Sequence, residues 1–353
     1  MGICGSTTTK NKHSTNQPTY KTGGAKKNPQ ASYAKNIPKP QFKATENKDY
    51  PCYFIGVGKG KIKTILAFDE ERLALLEKEV PENMKVALWS ALLQVDPDNI
   101  FVAGGRYEGG EFGVEVIKDF CVYHPLSNTC DILPPLIDKR SSFPMVHHLG
   151  RLYTIGGRNE KPEPDLTLKD CELFDFGSNQ WYRLPSLNKS RCNHAALIYR
   201  NQIYTFGGYS GHYRRTTTIE RLAPNEQYWE IIPLRLFQGV DVFGYFPLSE
   251  DQLIMVGGNM AGTLTKGTYL VNMQLGTVRN LKPMTKMRKQ LVSCLSYSRK
   301  FYVFTDSAEV LADWETGWKE VDIQNLGHFL PDFYKNFNQT VLNPTLYHSE
   351  SPQ

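Results

Sequence analysis

The sequence predicts an all-β protein assembled from small repeated sheets, and three observations carry that reading. Four diglycines close short apolar runs, IFVAGG at Gly105, LYTIGG at Gly157, IYTFGG at Gly208 and LIMVGG at Gly258, in steps of 52, 51 and 50 residues. Beyond each diglycine, and beyond the corresponding runs at 53–58 and 301–306, an apolar residue is followed seven positions later by another large one: Phe68/Leu75, Tyr123/Cys130, Phe174/Trp181, Leu222/Trp229, Val271/Val278 and Leu311/Trp318. A third landmark precedes the diglycine, as in RSSFPMVHHLGRLYTIGG from Arg140 and RCNHAALIYRNQIYTFGG from Arg191.

The same step taken backwards falls on YFIGVG at Gly56, and taken forwards on FYVFTD at Asp306, which makes six copies with the outer two degraded. Each unit offers roughly four short strands rich in β-branched and aromatic residues, separated by Gly, Asn, Asp and Pro turns. One such sheet cannot cover both of its faces, whereas sheets packed radially on their neighbours can. The glycines at 104/105, 156/157, 207/208 and 257/258 fit where a strand ends and the chain must turn with no Cβ in the way. The recurring Trp181, Trp229 and Trp318 fit the gaps between adjacent sheets.

These landmarks resemble the Kelch repeat, whose period is about 50 residues. The resemblance covers 53–322 and implies a six-bladed Kelch-type β-propeller, here assigned to residues 51–345. Its first and last repeats are degenerate: Gly56 and Gly58 replace one diglycine, and Thr305-Asp306 another. DEERLALLEKEV (69–80) is made of strong helix formers, yet the register assigns it to outer strand residues, and the register is preferred. The first copy starts at its second strand, so NLGHFLPDFYKNFNQTVLNP, around 325–345, is the candidate for the missing inner strand that would close the ring.

Residues 1–50 read differently. They carry nine lysines against two acids, a balance of +7, which leaves −2 of the net +5 for the remaining chain. Almost without aliphatic residues, this segment is expected to be a disordered basic tail, and 346–353 a disordered C-terminus. Without arginine or interleaved aromatics, the tail does not point to nucleic acid. No run approaches the ~18 uncharged apolar residues of a membrane-spanning helix. Seven scattered cysteines with no CxxC pair argue against a disulfide framework or a zinc site, and for a reducing compartment.

Little in the sequence suggests catalysis. GVGKGKIKT (56–64) fits neither phosphate-loop pattern. His147 and His148 are neighbours on a strand and point to opposite faces, while His124 and His212 have no partner at ligand spacing. His194 sits where Kelch repeats often place a structural histidine. Some Kelch propellers are enzymes, including copper oxidases resembling galactose oxidase, but no such constellation is assignable here, and no cofactor or metal is expected. An enzyme acting at an axial pocket is the alternative reading, and a stable component of a cytoskeletal assembly a further one.

The resemblance also implies a binding face, formed by loops after the diglycines and between blades. On this chain it maps to Arg106, Arg158, Tyr209 and Asn259, to Arg214 and Arg215, and to Arg140, Arg191 and Arg288 between blades. Converging arginines suit carboxylates or phosphates of an acidic or phosphorylated peptide. Pairing with acids of neighbouring blades, with Glu108, Glu111, Glu160 and Asp165 at hand, is the structural counter-reading. No periodic apolar pattern in 7–50 suggests a BTB-like or F-box-like helical module.

Finally, MGICGS matches the N-myristoylation pattern, with Gly2 as acceptor and Ser6 at the favoured position. Cys4 lies two residues from that lipid and is the candidate for palmitoylation. One myristoyl chain binds membranes only weakly, at K of about 10⁴ M⁻¹, so a second signal is needed. The expectation is a non-enzymatic interaction module held at the cytoplasmic side of a membrane.

Overall fold

A computed structural model of the chain describes residues 52–57, 63–108, 113–162, 166–211, 214–236, 238–249, 251–260, 263–287, 292–295, 300–304, 307–313, 316–326, 337–338 and 340–342. The chain divides into two units, Met1–Lys39 and Pro40–Gln353, and every described residue lies in the second. Gly2, Cys4, the lysine-bearing tail, Arg288 and residues 346–353 fall outside the described residues.

Every secondary-structure element among the described residues is a strand. Six sheets carry the repeats. The first pairs Phe337–Asn338, Cys52–Val57, Lys63–Asp69 and Ala74–Lys78; the second Thr340–Leu342, Ala91–Asp96, Asn99–Ala103, Phe120–His124 and Thr129–Ile132. The third runs Met145–His148, Arg151–Ile155, Cys171–Asp175, Gln180–Leu184, and the fourth Ala195–Tyr199, Gln202–Phe206, Thr218–Leu222, Glu230–Arg235. The fifth comprises Gly244–Pro247, Gln252–Val256, Thr268–Asn272 and Thr277–Leu281; the sixth Val292–Leu295, Phe301–Phe304, Ala308–Leu311 and Trp318–Val321. A hairpin (Arg106–Glu108, Val114–Val116) and a small sheet (Val240–Asp241, Asn259–Met260, Thr263–Leu264) are added to the second and fifth repeats.

The seven-residue landmark has a simple cause. Phe68 and Leu75, Tyr123 and Cys130, Phe174 and Trp181, Val271 and Val278, and Leu311 and Trp318 are direct cross-strand partners flanking the outer hairpin of their sheets. Such pairs are the unit of sheet stabilisation, so spacing and identity recur together. In the fourth sheet the register shifts between Thr218 and Glu220, and Leu222/Trp229 is not a registered pair.

Residues 69–80 show register overriding helix propensity. The segment turns at 70–73 and returns as Ala74–Lys78 opposite Lys63–Asp69. Ala74 and Leu75 are buried, and Leu75 N–H donates to Gln324 O while Gln324 N–H donates to Leu73 O. The late segment expected to supply one inner strand pairs with two sheets. Phe337 and Asn338 lie antiparallel to Gly56 and Ile55, and Thr340–Leu342 runs parallel to Leu92–Gln94.

Apolar side chains from facing sheets form one cluster per junction. Tyr53, Ile55 and Ile65 meet Leu92, Val102 and Tyr123 between the first and second sheets, and Phe101 and Phe120 meet Leu152 and Phe174 between the second and third. The next three junctions repeat this with Ile155/Ile203, Phe206/Met255 and Val256/Val303. Tyr302 and Phe304 of the sixth sheet pack on Phe54 and Phe68 of the first. Trp181, Trp229 and Trp318 each send an indole N–H to the preceding repeat, to Pro134 O, Pro185 O and Thr268 Oγ1 at 2.8, 2.9 and 2.8 Å.

Candidate functional site

The diglycine edge is built by one local device used repeatedly. In each diglycine both residues have positive φ: +58 and +113 at Gly104-Gly105, +56 and +108 at Gly156-Gly157, +67 and +96 at Gly207-Gly208, +61 and +91 at Gly257-Gly258. The second N–H then donates to the carbonyl of the next crossover, from Gly105 to Arg140, Gly157 to Arg191 and Gly208 to Val240, at 2.9, 2.8 and 2.7 Å. A Cβ on the first glycine would meet that same carbonyl, at 2.3 Å for Gly104, 2.7 Å for Gly156 and 2.8 Å for Gly207. Glycine is therefore set by close approach as well as by φ.

One residue on, the chain pairs back. Arg106, Arg158, Tyr209 and Asn259 form antiparallel bridges with Leu88, Ser141, Cys192 and Asp241 of the crossovers. The next crossover residues, Trp89, Ser142, Asn193 and Val242, all adopt left-handed φ, between 51 and 59. They link sheet to sheet: Ser142 N–H donates to Trp89 O, Asn193 N–H to Ser142 O and Val242 N–H to Asn193 O, at 2.9, 2.9 and 3.2 Å. For tryptophan and a β-branched valine this backbone is costly, and the shared hydrogen-bond chain holds it.

On this edge Arg106 and Arg158 are half-buried side chains. The Arg106 guanidinium lies 5.7 Å from the Trp89 ring centroid. Burial, and then the neighbouring positive charge of Arg158, push its pKa down to about 10. Among the described residues neither arginine has a carboxylate within ion-pair distance, and Arg158 Nε is buried without a hydrogen-bond partner. Glu160 is instead engaged by Lys139 at 3.4 Å and by the Val116 N–H at 3.3 Å. Asn259 Oδ1 is likewise buried and unpartnered. Arg106 therefore carries its charge in a partly desolvated place beside a second guanidinium.

Other expected members of the face lie elsewhere. Arg140 and Arg191 are fully buried, which corrects their assignment to a partner-facing surface. Arg140 Nη2 reaches Glu172 Oε1 at 2.5 Å, and its Nη1 donates to Gly156 O and Asp170 O, both at 2.8 Å. Arg191 repeats this with Glu220 Oε1 at 2.5 Å and with Gly207 O and Thr218 O, both at 3.1 Å. The glutamates also accept crossover amides, from Ile137 and Asp138 at Glu172, and from Asn188 and Lys189 at Glu220. The pairing acids are thus Glu172 and Glu220, not the acids expected. Arg215 is held by Asp241 at 2.6 Å, and Arg214 is exposed.

These glutamates had a sequence signal that was missed. Glu172, Glu220 and Glu309 stand two residues before the landmark residues Phe174, Leu222 and Leu311. Glu309 accepts Thr285 N–H and Lys286 N–H, which stand to Arg288 as Ile137 and Asp138 stand to Arg140. His194 is buried with its ring against Gly156, and burial followed by the nearby Arg191 holds its pKa well below the usual histidine range.

The Kelch motif family matches residues 139–188 and 190–233, the third and fourth sheets with their crossovers. The chain is 22% identical over 226 residues to Kelch repeat and BTB domain-containing protein 8 of Homo sapiens, covering 62% of this chain and 36% of that protein. It is 28% identical over 137 residues to Kelch-like protein 25 of Xenopus tropicalis, covering 37% of this chain and 23% of the relative. Alpha-scruin of Limulus polyphemus matches at 31% over 115 residues, 31% of this chain and 12% of its own length. The chain thus spans well under half the length of these relatives. Over the repeats these matches cover, the chain is similar to Kelch-repeat proteins.

Proposed function

We propose that this chain is a non-enzymatic protein-interaction module: a six-bladed Kelch propeller that takes an acidic peptide on its diglycine edge and is tethered to the cytoplasmic face of a membrane by N-terminal acylation. The observation that carries the binding reading is the pair Arg106 and Arg158, half-buried, mutually repelling and without a carboxylate partner among the described residues. A glutamate, aspartate or phosphorylated side chain of a partner would relieve that repulsion through forked hydrogen bonds. Tyr209, Asn259 and Arg214 flank the pair in sequence register and would supply further contacts. Pairing of Phe337–Asn338 with the first sheet, and packing of the sixth sheet on the first, support closure of the ring.

The binding reading is tested with a panel of acidic and phosphorylated peptides against wild type, Arg106→Ala and Arg158→Ala. Loss of binding of about tenfold or more in either variant is expected. Peptides that bind all three proteins equally would sink it. The tether is tested by intact mass and membrane fractionation of wild type and Gly2→Ala from eukaryotic cells: a myristate increment on wild type alone, with membrane recovery lost in the variant, is expected.

A further inference from the structure

The sheet edge opposite the diglycines is tipped with large apolar side chains. Leu126 sits on the turn between Phe120–His124 and Thr129–Ile132, Leu149 between Met145–His148 and Arg151–Ile155, and Leu275 between Thr268–Asn272 and Thr277–Leu281. Their relative exposures are 78%, 77% and 71%, and Tyr228, on the equivalent turn of the fourth sheet, is 64% exposed. Hairpin tips of this kind ordinarily carry Gly, Asn or Asp. Leu149 departs furthest, because it occupies φ +50 ahead of Gly150, where an aliphatic side chain is strained and buries almost nothing in return. The fold gains nothing from leucine there.

These tips lie on one side. Consecutive diglycine edges are stapled to each other by the Gly-to-crossover hydrogen bonds, so the opposite edges align as well. Tyr199 Oη, donating to Asp251 Oδ1 at 2.6 Å, ties the tips of the fourth and fifth sheets directly. Four ion pairs lie on this edge among the described residues: Arg72 with Asp69, Arg151 with Asp175, Arg200 with Asp251 and Lys300 with Glu70, at 3.1, 3.4, 3.3 and 3.4 Å. The first described residue also lies on this edge, since Cys52 opens its strand opposite Phe68, beside the 70–73 turn.

We propose that the hairpin edge is a lipid-contacting surface, with Leu126, Leu149, Tyr228 and Leu275 dipping into the interfacial layer of the bilayer that anchors the N-terminus. The proposal rests on the acylation reading and deepens it. The side chains stand singly on separate tips with polar residues between them. A fluid surface receives such tips anywhere, while a rigid protein would need a matched pocket for each. A single myristoyl chain holds a protein only marginally, so a second apolar contact is what stable residence requires.

The test uses the full chain made in bacteria with an N-myristoyltransferase, which leaves Cys4 unacylated, and flotation with phosphatidylcholine vesicles. The proteins are myristoylated wild type, the same chain without transferase, and a myristoylated Leu126→Ser/Leu149→Asn/Leu275→Ser variant. Thermal melts confirm that the exposed substitutions leave the fold intact. The variant is expected to partition about tenfold more weakly or worse. A Leu275→Trp protein should show extra fluorescence quenching by brominated lipid compared with wild type. Equal flotation of variant and wild type, with no extra quenching, overturns the lipid-contacting edge and leaves the tether standing. A wild type that acquires no myristate sinks the tether itself, and the mass spectrum reads that separately.

Discussion

The third and fourth sheets bury an arginine–glutamate pair where the second and fifth bury none. By the hydrogen bonds each crossover makes, Arg140 and Arg191 correspond to Ala87 and Val240. By their place two residues before the landmark, Glu172 and Glu220 correspond to Cys121 and Tyr269. Both partners change together, and the backbone device around them persists: Gly208 N–H reaches Val240 O at 2.7 Å, as Gly157 N–H reaches Arg191 O at 2.8 Å. The ion pair is therefore not what shapes the edge. An uncharged pair serves, while a half pair would leave a charge without water or partner. The charged version does add something local, because each glutamate holds two amides of the incoming crossover.

The sharpest way to break this comparison is to halve one pair. Arg191→Val alone strands Glu220 in a fully buried site and is expected to cost about 3–5 kcal/mol in denaturant unfolding. Arg191→Val with Glu220→Tyr copies the fifth sheet and should recover most of that loss. If the double variant is as unstable as the sum of its singles, the two chemistries are not interchangeable and the comparison fails.

The next effect tests the backbone device that both classes of sheet share. Gly156→Ala places a Cβ 2.7 Å from Arg191 O at φ +56, and a loss of about 2–4 kcal/mol is expected. Gly177, without positive φ, would bring a Cβ near only its own Asp175, so Gly177→Ala should stay within about 0.5 kcal/mol. Thermal melts of the two proteins side by side read the difference.

How much of this was legible beforehand follows from where the signals sit. Diglycines and cross-strand partners such as Phe174 and Trp181 are constrained by local geometry at fixed chain separation, so they repeat in register. The buried arginines were visible as residues but not as buried, because Arg140 lies 32 positions from Glu172 and Arg191 lies 29 from Glu220, across a loop of variable length. The left-handed Trp89, Ser142, Asn193 and Val242 share no side-chain chemistry at all. What unites them is a backbone hydrogen-bond chain between sheets, which no composition reveals. Arg106 and Arg158 share one backbone position because bridge pairing fixes the residue after each diglycine.

A smaller difference between repeats concerns pH. His194 takes the crossover position that Phe143 and Phe243 take in the repeats on either side, as their packing on Gly156, Gly104 and Gly207 shows. Burial holds its pKa well below the usual histidine range, and His147 is pushed down to about 4 mainly by burial. A histidine whose folded pKa lies below its unfolded value binds fewer protons folded than unfolded. Stability is therefore fully present above about pH 6.5 and falls as pH drops below that value. His194→Phe, copying its neighbours, should flatten the decline between neutral pH and pH 4, measured as denaturation midpoint against pH. An unchanged slope would mean that other groups carry the acid sensitivity.

The smallest expected effect contrasts two inner hairpins. Leu149-Gly150 and Arg200-Asn201 turn the third and fourth sheets through the same left-handed geometry, with φ of 50 and 71 against 47 and 59. Arg200 recovers something from its position, through Asp251 at 3.3 Å and the Tyr199 ring at 5.1 Å, whereas Leu149 is exposed. Leu149→Asn places the non-glycine residue type most tolerant of left-handed φ before a glycine, and a gain of about 0.5–1 kcal/mol in thermal unfolding is expected. The same change should weaken vesicle binding if the hairpin edge meets lipid. A variant that becomes more stable while losing its membrane contact would show that leucine was kept at this turn for something other than the fold.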